Sequence, residues 1–446
     1  MSARPLAAVV LAAGLGTRMR SRRPKHLHPL LGRRVVDWVV EAARAVGAEP
    51  LVVVTSPGTV SELEGSLPPG ARQAIQEEPR GTGDAAAAAR GALAGFAGDV
   101  LVLAGDAPLV AAAELEALLE AHRNAGAAVT VLSFEPEDPG AYGRVLRDAD
   151  GRLRAIVEAR DASPDELAVR EVNSSAYVFA ADALWSALDR LDAGNAQGEL
   201  YLTDAVRHLV DDGRAAAVYR AQDSRVGEGV NTRADLAAAG ARLRDEIVAG
   251  HLEAGVTIVD PATTWIEADV EIEADATIHP FTVLRGRTVV RRGAEVGPHA
   301  VVVDAEVGED ALVGPFCYLR PGTTLAARAK AGTFVELKNA QIGAGTKVPH
   351  LSYLGDADVG EGTNVGAGTI TANFPHEPGR EKGKTTIGRN VRTGIHNGLE
   401  APVTIGDGAW IGGGSYITED VPPDSLALAR ARQVTKKGYV RGKRND

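Results

Sequence analysis

Residues 266–302 read IEADVEIEADATIHPFTVLRGRTVVRRGAEVGPHAVV, with an aliphatic residue at every sixth position: Ile266, Ile272, Ile278, Leu284, Val290, Val296 and Val302. An α-helix repeats every 3.6 residues and a strand every 2, so neither produces this period. After a one-residue shift the series resumes as Val307, Val313, Leu319 and Leu325. It continues through Ile342, Val348 and Leu354, then Val359 and Val365, and finally Ile405, Ile411 and Ile417. Glycine often follows the aliphatic residue, at Gly297, Gly308, Gly343, Gly360, Gly388 and Gly406, as expected if each hexapeptide is a short strand plus a turn that tolerates positive φ. Three hexapeptides then form one triangular coil of a parallel β-helix, which buries a core only by stacking on neighbouring coils. An Ala/Gly-rich low-complexity stretch does not explain so many aliphatics in phase.

Upstream, over residues 5–230, short apolar runs alternate with Ala-rich helical stretches. Strands are predicted at Ala7–Ala12, Leu51–Thr55, Val100–Leu103, Ala128–Phe134 and Tyr177–Ala180, and helices at Val35–Val46, Asp84–Ala94, Ala112–Ala125 and Leu200–Asp211. This order indicates an open α/β sheet covered on both faces, in which ligands bind at the carboxyl ends of the strands. Asn231 or Thr232 is placed to cap a linker helix carrying Leu236, Ala239, Leu243 and Ile247 on one face. The expected organisation is a domain over 1–230, a linker helix over 231–252, and the repeat domain with a C-terminal tail over 253–446.

Composition narrows the function classes. A net charge of −11 argues against general nucleic-acid binding, so basic residues are read as local sites for small anions. The single cysteine, Cys317, cannot form an intrachain disulfide, which fits a reducing cytoplasm. The apolar run Leu6 to Ala13 is short, lacks a polar cleavage region and reads as a buried strand, and no run of eighteen apolar residues suggests membrane association.

That first strand runs into LAAGLGTRM, residues 11–19, followed by Pro24-Lys25. A Gly-rich turn at a strand end presents backbone N–H groups, and Arg18 and Lys25 add the positive charge that a triphosphate requires. The turn lacks the third glycine of a dinucleotide fingerprint and the Gly-Lys-Ser/Thr of a P-loop; alone it also reads as an ordinary strand–helix turn. Asp106 ends another apolar strand, and Asn231 closes Gly227-Glu228-Gly229-Val230-Asn231. Two oxygen donors suit Mg²⁺, which takes its remaining ligands from water and substrate phosphates. A helix cap is the plainer reading of Asp106.

Taken together and in order, Leu11–Met19, Pro24-Lys25, Gln76 with Gly81-Thr82-Gly83, Gly105-Asp106, Tyr142-Gly143-Arg144, Val157-Glu158, Asn195-Ala196-Gln197 and Gly229-Val230-Asn231 resemble the sugar-nucleotide pyrophosphorylase half of the bacterial bifunctional uridyltransferase/acetyltransferase (GlmU) family. The repeat half is similar through Leu319–Gly322, Phe334–Lys338, His350–Asp356 and Val365–Thr369. The resemblance implies an α/β fold, with a Rossmann-like nucleotidyltransferase domain followed by a left-handed parallel β-helix of hexapeptide repeats. It also implies two reactions: acetyl transfer from acetyl-CoA to glucosamine-1-phosphate, then uridylyl transfer from UTP with release of pyrophosphate, giving UDP-N-acetylglucosamine.

By the same resemblance, Arg18 and Lys25 act on the phosphates, and Leu11 and Gly14 line the nucleotide site. Gln76, Gly81 and Thr82 hold uracil; Gly143, Glu158 and Asn173 hold the amino sugar; and Asp106 and Asn231 hold Mg²⁺. In the second half an amine must lose a proton as it attacks a thioester, and histidine is the natural base. His350 is that candidate, with Glu336 expected to orient it. Arg320 and Lys338 are assigned to the sugar phosphate, Tyr353 to the sugar, and Asn373 to the developing oxyanion. Asn364 and Lys384 are further substrate residues, and Ala367 and Arg430 are assigned to acetyl-CoA. The family further implies a homotrimer.

Several positions depart from the family pattern. Phe374 stands where a Tyr usually follows the Asn, Ile395-His396 replace a Ser-Asp pair, and Arg432 replaces a Pro. The loop Pro375 to Lys384 is longer and more charged than expected, and Asn173-Ser174-Ser175 replaces Asn-Thr/Ala-Gly. Two alternatives remain open on sequence: a nucleotidylyltransferase for another sugar phosphate whose repeat domain acetylates another amino sugar, and a repeat domain that serves only as a trimerisation scaffold.

Overall fold

The computed structural model describes residues 4–14, 16–63, 66–374, 379 and 381–442. Leu15 of the glycine turn, and residues 375–378 and 380 of the charged loop, lie outside the described residues. Two compact units divide the chain, residues 1–243 and residues 244–446.

The first unit is built on a nine-stranded sheet. Leu6–Leu11 lies at its centre, parallel to Asp99–Ala104 on one side and to Leu51–Thr55 on the other. Val172–Ala180 runs antiparallel beside Asp99–Ala104. Successive side chains of a strand point to opposite faces. Ala7 and Val9 therefore pack with Ala86 and Leu202 on one face, while Ala8 and Val10 pack with Val36, Val39 and Leu115 on the other. The predicted strand Leu51–Thr55 and helix Ala112–Ala125 form as read. The helix expected over Asp84–Ala94 is instead Thr82–Ala88 followed by a 3₁₀ turn at Gly91–Leu93. Strands at Ala71–Ile75, Arg144–Arg147, Leu153–Val157 and Ala216–Arg220 were not anticipated, because their charged and half-exposed residues blur the apolar pattern. A helix spans Arg233–Glu253, and at its start Thr232 Oγ1 accepts from the Asp235 N–H while the Asp235 carboxylate accepts from the Thr232 N–H. This reciprocal cap satisfies two otherwise orphaned donors. Among the described residues no helix is long and apolar enough to cross a membrane.

The second unit is a parallel β-helix in which each strand from Thr257–Ile258 to Tyr318–Leu319 pairs with the third strand onward. One column of side chains runs Ile266, Leu284, Val302, Leu319, Leu337, Leu354, and another runs Ile272, Val290, Val307, Leu325, Ile342, Val359, Ile387, Ile405. These residues form one continuous buried core. Each buried aliphatic contributes about 1.5–3 kcal/mol, a gain that exists only because adjacent coils cover each other.

The expected reason for the glycines needs correction. Among the six that follow core aliphatics, only Gly297 has positive φ. At Gly308, a Cβ would stand 2.5 Å from the Leu325 carbonyl oxygen, and at Gly343 it would stand 2.6 Å from the Glu361 nitrogen. The approach of the next coil's backbone, not the turn, therefore excludes a side chain there. Left-handed positions fall instead on residues such as Asp304, Phe316 and Asn339.

Candidate functional sites

In the first unit, the carboxyl ends of the two central parallel strands meet where the Gly105 N–H donates to the Leu11 carbonyl (2.9 Å). The chain beyond Leu11 turns at Gly16, whose φ is 62° and whose Cβ, if present, would stand only 2.7 Å from Lys25 Cβ. Only glycine satisfies both demands. A cavity of about 570 Å³ opens here, lined by Leu11, Gly14, Lys25, Gln76, Gly81, Thr82, Asp106 and Glu158.

The charged end of this cavity joins segments far apart in sequence. The Val230 N–H donates to the Asp106 carbonyl (2.7 Å), bringing Asn231 beside Asp106. Lys25 Nζ bonds to Asp106 Oδ2 and lies 3.4 Å from Asn231 Oδ1, which also accepts from Arg18 Nη2 at 2.9 Å. Burial alone would raise the Asp106 carboxyl, but the Lys25 ammonium beside it holds it below the ordinary range. Both oxygens face a single cationic centre, now the ammonium, so the donor set fits a hard divalent cation. Among the described residues there is no cluster of three or more His, Cys, Asp or Glu side chains able to cage a metal. Arg18 and Asn231 also border a neighbouring cavity of about 610 Å³.

At the other end, Glu158 Oε1 accepts from Thr203 Oγ1 (3.1 Å), and burial raises its carboxyl above the usual range. A Cβ on Gly143 would approach Glu158 Oε2 to 3.4 Å, and the Asn173 N–H donates to the Gly143 carbonyl (2.9 Å). Asn173 itself is buried and donates to the Tyr177 hydroxyl (2.6 Å). Ser175, which departs from the family glycine, sits at φ 60°, a conformation that favours glycine. Gln76 spends both amide hydrogens on Gly81 O and Asp84 Oδ2, leaving its Oε1 as the group able to accept a ligand donor. Of the twelve sequence candidates of this half, Leu11, Gly14, Lys25, Gln76, Gly81, Thr82, Asp106 and Glu158 line this cavity, Arg18 and Asn231 border the neighbouring one, and Gly143 and Asn173 lie beside Glu158. Sequence reasoning missed His26, Ser175, Gln197, Glu199 and Tyr201, which also line the cavity; of these, Ser175 and Gln197 lay in motifs already singled out.

In the second unit the candidates fall into two groups. Tyr318, Glu336 and Tyr353 occupy successive coils at one register position. The Arg320 N–H donates to the Leu337 carbonyl, which places Arg320 one coil from Lys338. The neighbouring Lys382 ammonium pulls the Lys338 amine below its ordinary value. Asn373 donates to Asp356, leaving one amide hydrogen for a ligand. Lys384 is paired with Asp358 at 2.6 Å.

The second group forms a column along one corner. The His350 carbonyl accepts from Gly368 N–H (3.4 Å), the Ala367 carbonyl from His396 N–H (2.7 Å), and the Ile395 carbonyl from Gly414 N–H (2.8 Å). His350, Ala367 and Ile395 therefore stand one above the next, and Arg430 reaches the following position through Gly413 O (2.6 Å). Asn364 lies three residues before Ala367 and pairs with Lys347 and Arg392. The expected contact between Glu336 and His350 is not formed. His350 is in register with Thr333, whereas Glu336 is in register with Tyr353 across the corner, and its carboxylate accepts from Arg320 Nη1 at 2.9 Å.

A family model for the MobA-like NTP transferase domain matches residues 8–211. Proteins named bifunctional protein GlmU are similar over nearly the whole chain. That of Mycolicibacterium vanbaalenii is 45% identical, covering 99% of this chain and 94% of the relative. Those of Streptomyces coelicolor and Thermobifida fusca are 46% and 44% identical, covering 99% of this chain and 95% and 96% of the relatives. Identity at this level across both units means that the chain belongs to the bifunctional GlmU family.

Proposed function

We propose that the cavity of the first unit carries out uridylyl transfer and that the corner of the second carries out acetyl transfer, the two reactions by which a GlmU enzyme makes UDP-N-acetylglucosamine. The observation that carries the first assignment is the convergence of Arg18 and Asn231 on the Lys25–Asp106 pair, which lines the same cavity as Glu158.

An oxygen of the N-acetylglucosamine-1-phosphate group attacks the α-phosphorus of UTP. The new P–O bond forms as the bond to the β-phosphate breaks, and pyrophosphate leaves. No enzyme nucleophile is needed, so the protein's task is positioning and charge neutralisation. Lys25 and Arg18 offset phosphate charge, Gln76 accepts from the uracil N–H, Gly81 and Thr82 form the base-binding wall, and Glu158 accepts from a sugar hydroxyl with Gly143 and Asn173 beside it. Asp106 and Asn231 would hold Mg²⁺, which when bound supplies further neutralisation of phosphate charge.

For acetylation, His350 takes the proton from the glucosamine-1-phosphate amine as that nitrogen attacks the thioester carbonyl, and CoA leaves as the thiol. Arg320 and Lys338 take the sugar phosphate, Tyr353 covers the sugar, and the remaining Asn373 hydrogen meets the oxyanion. Ala367 and Arg430 border the donor, with Asn364 and Lys384 as outer contacts. This reading is supported by the stacking of His350, Ala367 and Ile395 on one corner. A homotrimer is supported by an exposed apolar ladder on the same corner, where Phe281, His299, Phe316 and Phe334 stack at 4.7, 4.8 and 5.2 Å and Leu351 is exposed. A cytoplasmic setting fits the substrates. The deciding experiment is product analysis with acetyl-CoA, UTP, Mg²⁺ and glucosamine-1-phosphate supplied together or singly; formation of no UDP-sugar from the full set would overturn the reading.

A further inference from the structure

One polar group beside the nucleotide cavity has no partner among the described residues. His26 lines the cavity beside Gly14, Lys25 and Asp106 and is only 3% exposed. Its Nδ1 is sealed from solvent and makes no hydrogen bond. The residue follows Lys25 in the short 3₁₀ turn Lys25–Leu27, and its ring packs on the glycine turn: a Cβ on Gly14 would stand 3.7 Å from His26 Cε1 and 3.7 Å from Lys25 Cε. The His26 ring and the Lys25 stem therefore flank the same point of the glycine turn.

Burial, and after it the Lys25 ammonium, push the imidazole down to about 4, so at neutral pH it has one N–H donor and one acceptor. Protein interiors pair nearly all such atoms, and a sealed orphan is costly. The ring's neighbours Gly14 and Lys25 belong to the phosphate side of the proposed site, whereas Gln76 and Gly81 form the base-binding wall.

We propose that His26 is a substrate-contacting residue of the uridylyl-transfer site, donating its Nδ1–H to a phosphoryl oxygen of UTP. The inference rests on the reading of this cavity as the UTP site. A neutral donor adds a directed bond there without adding charge to that of Lys25 and Arg18.

The test uses the full-length enzyme with His26→Val and His26→Asn, measuring UTP binding by calorimetry in Mg²⁺, KM for each substrate of uridylyl transfer, and acetyl transfer as a check on folding. For His26→Val, UTP affinity should fall and KM for UTP rise by about 10- to 100-fold, the range for a hydrogen bond to a charged group. KM for N-acetylglucosamine-1-phosphate should stay within about twofold. His26→Asn, whose amide N–H can stand where Nδ1–H does, should recover most of the loss. Unchanged UTP binding in His26→Val, or a loss shared equally by both substrates and not recovered by asparagine, overturns the proposal. Should the valine variant not fold, His26→Asn against His26→Gln makes the same comparison, and equal UTP affinity of those two refutes it. A parent enzyme that fails to release pyrophosphate from UTP would instead sink the cavity assignment itself, and this inference with it.

Discussion

Replacing Asp106 by asparagine probes the charged end of the nucleotide cavity with almost no change in volume. In the parent, the Lys25 and Asp106 side chains are 14% and 18% exposed, and the ammonium's other described partner is Asn231 Oδ1 at 3.4 Å. Removing one member of a fully buried pair costs about 3–5 kcal/mol; the residual exposure here admits water, so about 1–3 kcal/mol is expected. For a unit of this size that lowers the melting temperature by about 2–10 °C. Uridylyl transfer should fall about 10²–10³-fold, the usual effect of deleting one group that stabilises developing charge, and raising Mg²⁺ should not restore it. The pH dependence has a definite sign. The folded-state carboxyl is held below its ordinary value of 3.8, so its contribution to stability is complete above that value and is lost as pH falls through the lower folded-state value. Asp106→Asn should therefore lose less stability than the parent on acidification below about pH 4. Pyrophosphate release and CoA release, measured separately, complete the assay, because the acetyl-transfer residues belong to the other unit. Uridylyl transfer within about threefold of the parent, at unchanged melting temperature, would show that Asp106 neither anchors Lys25 nor serves the phosphates.

Glu158→Gln should separate stability from function. Burial raises this carboxyl above its ordinary 4.5, so its cost to folding sets in as pH rises through 4.5 and is complete above the higher folded-state value. At neutral pH the variant should melt higher by the equivalent of about 0.5–2 kcal/mol while KM for the sugar phosphate rises about tenfold; neither change occurring would rule out a buried, sugar-binding carboxylate. Gly16→Ala places a Cβ at φ 62° against Lys25. It should cost about 1–2 kcal/mol and impair uridylyl transfer but not acetyl transfer, and a variant with parental kinetics and melting would contradict the fit. His350→Ala should lower acetyl transfer about 10²–10⁴-fold and leave uridylyl transfer from N-acetylglucosamine-1-phosphate normal; near-parental acetylation would point to His396, further along the same corner, instead.

The period-six aliphatics determined the β-helix by themselves, because a residue that turns inward every sixth position, and returns to the same column every third repeat, has one way to be buried. The central strands Leu6–Leu11 and Leu51–Thr55 were equally legible, being apolar on both faces. Local pattern did not suffice where exposure is mixed, as in Arg144–Arg147 and Leu153–Val157, nor did it reveal why Gly308 and Gly343 are glycines, since the atoms that exclude a side chain belong to the next coil. The motifs named Lys25, Asp106 and Asn231, but only the order of strands in the sheet brings three residues so far apart in sequence onto one point. Likewise the repeat gave Glu336 and His350 as neighbours in coil number, while the register put them on opposite sides of a corner and gave Glu336 to Arg320. Burial is written in local periodicity; the meeting of charges depends on long-range register, which no single segment of the chain contains.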